Sequence, residues 1–345
     1  MFCSLISSGV SMIIDTKRFL IQPGNVMFRF PRDHGSHNDF KIEWWHFVAD
    51  IWGDNHERFR FQLTFFRNAD FGLMYARAGQ QLFFAHAAIQ QYRKRLFSFE
   101  EKLTLGSPDD FVSTAMMDIR HADWSAKMLD NDKGILRVKA LINSRNIIDL
   151  KLEPKKPMVI LGKNGLVNRG NSGTSHYLTF TRLKAVGSVQ LGSKIYRVQG
   201  NSWFDHEYSS TFNFEKNAGW DWVGIQLDDG RDIVAGQMLA RDGITPKESD
   251  MCFISEMGES TRTKFKWKKL QTWKSSRTQL EYPSSIHIIT SNDFFELRPL
   301  AIDQEQVGQK TGIIYWEGIC DVFNKSGDLI GRGFLEMVRD LKGHR

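Results

Sequence analysis

Several features that often reveal a protein's biochemistry are scarce in this chain of 345 residues. It has three cysteines, Cys3, Cys252 and Cys320, which are far apart and form no C-x-x-C pair. Neither a disulfide framework nor a thiolate zinc site is therefore predicted. No apolar run approaches the ~20 residues of a membrane helix. The glycines form no phosphate-binding loop of standard spacing, which argues against a nucleotide or phosphate enzyme.

The N-terminal sequence MFCSLISSGVSMIID has no basic n-region, only a short apolar stretch and no A-x-A cleavage signal. It therefore does not match a secretory signal peptide, and we expect a cytoplasmic protein.

The chain also lacks a large excess of positive or negative charge, because it has 46 basic and 40 acidic residues. The densest basic run alternates Lys264, Lys266 and Lys268 with Phe265 and Trp267, which places the lysines on one strand face. A solvated strand face is the favoured interpretation. Contact with a membrane surface is the alternative, and no nucleic-acid partner is predicted.

Aromatic residues are abundant: they make up 12% of the chain, with 26 Phe and 10 Trp. Phe-, Val- and Ile-rich segments alternate apolar and polar positions and are separated by polar turns, whereas helical apolar spacing is rare. The sequence thus predicts an all-β protein of antiparallel strands. Strands in units of this length close most readily into barrels that hold one small ligand.

An internal sequence repeat predicts two copies of one β unit. The interval from Trp45 to Gly53 equals that from Trp222 to Gly230, and Tyr177 in YLTFTR matches Tyr315 in YWEGIC. We therefore predict an N-terminal segment (1–25), a first barrel (26–208) and a second barrel (209–345).

One mostly uncharged stretch, NSWFDHEYSSTFNFEKNAGWDW at 201–222, combines three tryptophans with Asp205, His206 and Asp221. Burying an acid or imidazole against indole rings is costly unless it is paired, and such places shift pKa values towards neutrality. The stretch is a candidate site. The alternative is a Trp-rich strand corner in which Asp205 and His206 hold a loop.

Other polar residues give weaker signals. Asp33, His34 and His37 lie on one loop but match no metal-binding spacing, so no metal and no cofactor is predicted. His86 stands alone in an apolar strand, where a hydrogen-bonded core histidine is the usual interpretation.

The motifs DHGSHNDFKIEWWHF, FQLTFFR, FAHAAI, SHYLTFTRL, VQGNSWFDHEYSS, GWDWVGIQLDDGR, DQEQ and YWEG follow one another from Pro31 onward. Together they resemble the AttH and carotenoid 1,2-hydratase family, and the resemblance covers nearly the whole chain. It implies two tandem lipocalin-like antiparallel β-barrels. Because relatives are often exported, the periplasm or cell envelope is the alternative location.

The family's hallmark matches Trp203, Asp205, His206 and Tyr208, with Tyr208 in place of a more usual tryptophan. In the hydratase branch a Tyr-Asp pair on the strand after the GWDW-like segment is implicated in proton donation. The matching positions here are Gly236 and Gln237, so that acid is absent.

Two functions follow as hypotheses. The first is binding of a lipid, isoprenoid or polyene-like ligand between the barrels without chemistry. The second is hydration of an isoprenoid double bond, which requires a neutral acid beside aromatic faces. Strand alternation places Asp221 opposite its two flanking tryptophans, so Asp205 is the better candidate acid. The predicted catalytic residues are Asp205, His206 and Asp221, and the predicted ligand-binding residues are Trp45, His86, Tyr177, Trp203, Tyr208, Trp220 and Trp222.

Overall fold

The computed structural model describes residues 27–54, 56–69, 82–104, 110–163, 165–169, 173–211, 219–240, 242–243 and 245–339. Strands are the dominant element in these residues, after one short 3-10 turn at Arg32–His34. The strands are β1 (Ile42–Gly53), β2 (Arg58–Asn68), β3 (Leu82–Gln91), β4 (Leu96–Thr104), β5 (Phe111–Val112), β6 (Asp118–His121), β7 (Trp124–Asp130), β8 (Ile135–Ile142), β9 (Asn146–Pro154), β10 (Val159–Ile160), β11 (Leu166–Asn168), β12 (Thr174–Leu191), β13 (Lys194–Ser209), β14 (Gly219–Leu227), β15 (Asp232–Leu239), β16 (Pro246–Ile254), β17 (Ser260–Thr263), β18 (Lys266–Lys274), β19 (Glu281–Ile289), β20 (Phe294–Pro299), β21 (Glu305–Val307), β22 (Ile314–Phe323) and β23 (Leu329–Val338).

The strands form two curled antiparallel sheets, one after the other along the chain. The first runs β4-β3-β2-β1-β13-β12-β9-β8-β7-β6-β5, with β10 and β11 beside β12. The second runs β17-β16-β15-β14-β23-β22-β20-β19-β18, with β21 beside β22. We refer to them as the first barrel (β1 to β13) and the second barrel (β14 to β23). Each is lipocalin-like, and the predicted all-β tandem-barrel fold is confirmed.

Period-two alternation explains why each sheet encloses an apolar core. On β8 and β9 the buried residues alternate with exposed ones along nearly the whole strand. Trp45 and Phe47 of β1 enter the first core, and Val223 and Ile225 of β14 enter the second. The residues between them point outward, towards the other barrel. The same alternation therefore fills two interiors and builds one interface.

The internal repeat is observed in the order and pairing of the strands, but not every predicted pair of residues is equivalent. In each sheet the first strand pairs with the next strand and with the last one. Tyr177 and Tyr315 both lie on the penultimate strand, as expected for a repeat. The proposed Trp45 and Trp222 equivalence is wrong, because Trp45 lies inside the first core whereas Trp222 packs in the cluster between the barrels.

No helix within the described ranges has the length and apolar character required to cross a bilayer. The alternation of the basic strand is also observed, since Lys266 and Lys268 are exposed and Trp267 is half-buried.

Candidate functional site

The outer faces of the two barrels meet in an apolar cluster. It contains Trp203 and Tyr177 from the first barrel, and Val234 and Phe334 from the second. The Trp203 indole is fully buried and meets the Trp222 ring edge-on, with 5.8 Å between ring centroids. These contacts confirm that Trp203 and Trp222 lie at the junction.

A cleft of ≈ 70 Å³ opens at the edge of this junction. Of the predicted ligand-binding residues, Tyr177 and Trp222 line it. Gly236 also lines the cleft, directly across from Trp222, and a Cβ at this position would lie 3.6 Å from the Trp222 ring. The lining residues are Leu161, Val167, Asn168, Arg169, Tyr177, Trp222, Val234, Gly236, Gln237, Met238, Glu248, Ser249, Asp250, Cys252 and Arg262.

Behind the cleft lies a buried group of charged side chains. His46 Nε2 is 3.1 Å from Glu317 Oε1, and His46 Nδ1 is 3.6 Å from Asp205 Oδ2. Arg60, which is fully buried, places its guanidinium 3.3 Å from Glu317 Oε2. Asp205 also accepts a hydrogen bond from Trp203 Nε1 at 2.9 Å, and the Tyr177 hydroxyl lies beside its carboxylate. The cleft and the charged group are therefore adjacent, since Tyr177 touches both.

Burial and neighbouring charges shift the pKa values of this group in opposite directions. Burial disfavours the His46 imidazolium, but Glu317 and Asp205 raise the pKa of His46 to about 10. Burial raises the pKa of Glu336 to about 7, because His46 only partly offsets it and Glu317 adds a like charge. Glu336 thus differs from an ordinary surface carboxylate.

His46 should give the protein an alkaline-dependent loss of stability. Its folded pKa is raised above the unfolded value of ~6.5, so its contribution is complete below that value and is lost as pH rises towards 10. We expect the difference in unfolding free energy between wild type and His46→Gln to shrink by at most ~1.4 kcal/mol per pH unit. The measurement is made above about pH 8, where Glu336 has already lost its proton and only His46 changes charge. Urea unfolding at several pH values measures it. A difference that does not change with pH would contradict the ion-pair account.

His206 and Tyr208 lie elsewhere, inside the first barrel. His206 Nε2 is 2.8 Å from Glu43 Oε1, and its ring stacks on Trp45. Tyr208 stacks on His37 with 3.7 Å between ring centroids. The expectation that these two residues surround a junction ligand together with Trp203 and Trp222 is therefore wrong. Adjacent strand residues point to opposite faces, so Asp205 and His206 cannot share one site.

Asp221 occupies a third environment, inside the second barrel. It is fully buried, with Oδ1 2.8 Å from Arg339 and Oδ2 accepting a hydrogen bond from Gln237 at 2.8 Å. Trp220 and Trp222 take the other face of β14, as the alternation argument predicts. The structure thus distributes Asp205, His206 and Asp221 over three separate places. Their catalytic assignment remains a prediction.

His86 contributes to the junction in a different way. Burial lowers its pKa to about 4, so the ring is neutral. Nδ1 is 3.2 Å from the Tyr315 hydroxyl and Nε2 is 3.1 Å from Thr311 Oγ1. It is a fully hydrogen-bonded histidine that joins the first barrel to the second.

Two groups within the described residues have donor atoms close enough to hold a metal ion: His37, Glu43 and His206, and His46, Glu317 and Glu336. In the first, Glu43 Oε2 already accepts from Arg67 Nε at 3.0 Å and from His37 N at 2.8 Å. In the second, Arg60 and His46 already supply positive charge to Glu317. Both groups are therefore balanced by protein cations.

Sequence reasoning missed His46, Arg60, Glu317 and Glu336. A signal for two of them exists, because His46 lies in EWWHF and Glu317 lies in YWEG, both motifs in which a polar residue interrupts aromatic ones. Their meeting could not be read from spacing, since His46 and Glu317 are 271 positions apart.

Comparisons with known proteins agree with this architecture. The model of the AttH-like family matches residues 22–339. A solved structure of an AttH protein from Nitrosomonas europaea is 27% identical, with a TM-score of 0.83 over 92% of this chain and 98% of that one. Kievitone hydratase from Nectria haematococca is 16% identical, with a TM-score of 0.71 over 93% of this chain and 98% of that one. The ceramide-binding protein SVF1 of Debaryomyces hansenii is 25% identical over 151 residues, which span 40% of this chain and only 39% of that relative.

Proposed function

Because the chain belongs to the AttH-like family and joins two barrels across a lined cleft, we propose that it binds a hydrophobic, lipid-, isoprenoid- or polyene-like ligand in that cleft. The observation that carries the proposal is the composition of the cleft walls. Leu161 and Val167 from the first barrel face Trp222 and Val234 from the second. Ligand sites favour such apolar walls between domains, with a few polar groups.

The barrel interiors are poorer candidates than the cleft. Large side chains such as Phe61 and Leu63 fill the first core, and Tyr282 and Trp316 fill much of the second. Small barrels packed in this way have little space left for a ligand. The junction offers an apolar surface that remains open to solvent.

The cleft must widen to accept a long molecule. Its volume of ≈ 70 Å³ is well below the ~300–1,000 Å³ of typical ligand pockets. Its rim carries Arg169, Asp250 and Arg262, of which Arg262 is exposed and pairs with Asp250. We expect these rim side chains to move when an apolar chain enters. The similarity to a ceramide-binding protein supports a lipid-like ligand.

Replacing Trp222 by Ala should weaken binding of retinol, an isoprenoid polyene, by about ten-fold or more, because a tryptophan wall dominates the energy of an apolar contact. Quenching of tryptophan emission during a retinol titration measures the affinity. Trp267→Ala is the control, since Trp267 is half-buried on β18, a strand that contributes nothing to the cleft. Equal loss in both variants, or no retinol binding by wild type, would contradict the proposed site.

Hydration of an isoprenoid double bond is the second candidate, and Glu336 favours it. Alkene hydration requires a neutral acid beside aromatic faces, and Glu336, with a pKa of about 7, lies directly across from Trp222 and accepts a hydrogen bond from Trp220. Mass spectrometry after incubation with lycopene in isotopically heavy water separates the candidates. A labelled hydrated product would assign an activity, whereas unchanged lycopene would leave binding alone.

A further inference from the structure

Glu336 occupies a particular position at the junction. It lies on the outer face of β23, because its neighbours Leu335 and Met337 enter the second core. Along the sheet it lies directly between Trp222 of β14 and Glu317 of β22. Trp222 lines the cleft, so Glu336 is the next side chain behind that wall.

The two oxygens of Glu336 have different surroundings. Oε1 accepts a hydrogen bond from Trp220 Nε1 at 2.6 Å. Oε2 has no hydrogen-bond partner among the residues that the structure describes, and the side chain is only half-buried. Its charged neighbours His46, Glu317 and Arg60 are closed off from solvent. Glu336 thus has one oxygen without a hydrogen-bond partner among the described residues, beside a buried group of charged side chains.

Charge balance determines the state of that oxygen. Two cations, His46 and Arg60, face the two carboxylates of Asp205 and Glu317. Donor atoms of His46, Glu317 and Glu336 lie within 4.8 Å of one another. A third negative charge in this space would have no cation of its own, so burial and Glu317 favour the protonated form of Glu336 at pH values below its pKa of about 7. Because Oε1 accepts from Trp220, the proton belongs on Oε2.

We propose that, once the cleft widens past Trp222, Glu336 selects the polar end of the ligand, as a neutral carboxyl whose Oε2–H donates a hydrogen bond to an uncharged oxygen acceptor such as an amide carbonyl or a hydroxyl. This inference rests on the proposed function and deepens it. The ligands are then uncharged amphiphiles. A fatty-acid anion would meet Asp205, Glu317 and the lone pairs of Glu336, which repel it.

Three probes that share one alkyl chain test the inference: lauramide, laurate and laurylamine. At about pH 6, below the pKa of Glu336, calorimetric titration of the full chain should show lauramide binding about ten-fold or more tightly than laurate, the factor expected when a charged group lacks a partner. Laurate that binds as tightly as lauramide overturns the inference. Laurylamine as the tightest probe also overturns it, because the site would then be an ammonium site.

Two variants and a control assign the effect to Glu336. Glu336→Leu should remove the preference for lauramide, whereas Glu336→Gln, which keeps an N–H donor, should retain it within a few-fold. Glu281→Leu is the matched control, because Glu281 is an exposed carboxylate on β19, a strand that contributes nothing to the cleft, and its loss should leave the preference intact. A preference that survives Glu336→Leu overturns the inference. If no probe binds wild type, the cleft proposal itself fails; if all bind without discrimination, only the role of Glu336 fails.

Discussion

Asp232→Ala is expected to lower the unfolding free energy by about 3–5 kcal/mol, because it removes one partner from a buried set of ion pairs. Asp232 lies on the second barrel and is fully buried. Its Oδ2 is 2.6 Å from Lys156 Nζ and accepts from Thr181 Oγ1 at 2.7 Å, while Oδ1 is 2.6 Å from Arg182. All three partners belong to the first barrel. The variant leaves the nearly buried Lys156 cation without its carboxylate.

The local backbone explains why these partners converge. The register between β12 and β13 shifts between Phe180 and Leu183, so Thr181 and Arg182 lie in a bulge. A bulge re-aims side chains, and here it directs them at Asp232. Asp229→Ala is the control, since Asp229 forms an exposed pair with Arg231 and its loss should cost about 0–1 kcal/mol. Urea unfolding of both variants decides the question, and equal losses would contradict a role for Asp232 in joining the barrels.

Trp203→Ala is expected to cost about 3–5 kcal/mol, the range for removal of a fully buried tryptophan. The indole packs against Trp222 and Phe334 of the second barrel and donates to Asp205. Its removal opens a cavity between the barrels and leaves Asp205 without one donor. Denaturant unfolding measures the loss.

Gly224 makes that prediction specific to the interface. A Cβ on Gly224 would lie 2.9 Å from the Trp203 indole, so Gly224→Ala alone should cost about 1–3 kcal/mol through overpacking. In the Trp203→Ala background that penalty should shrink without vanishing, because the Trp203 ring is absent whereas Trp222, also 2.9 Å from that Cβ, remains. Trp124→Ala is the matched control, since Trp124 is equally buried but lies in the first core. Additive costs for Trp203 and Gly224 would contradict direct packing between the barrels.

Much of the fold follows from period-two alternation together with family-like motifs. The alternation placed Trp220 and Trp222 on one face of their strand and Asp221 on the other, and the structure agrees. The same rule separates Asp205 from His206. Predicting both as catalytic residues of one site did not apply that rule, although adjacent strand residues face opposite sides.

The rest of the site depends on contacts that sequence spacing does not encode. The pKa of Glu336 is raised by burial and by the like charges of Glu317 and Asp205, which arrive from two other strands. Their approach is set by how the two outer faces pack. The predicted equivalence of Trp45 and Trp222 is wrong because it matches residue types without considering which face of the strand each residue takes.

Photo-crosslinking tests the central claim, that an uncharged hydrophobic ligand occupies the cleft between the barrels. Lauramide with a diazirine on its chain is bound to the full protein, irradiated and mapped by peptide mass spectrometry. We expect labels on peptides that contain Trp222 and Val234 from the second barrel and Leu161 and Val167 from the first, and loss of these labels with excess lauramide. Labels confined to residues that face a barrel interior, such as Phe61 or Val138, would contradict the account.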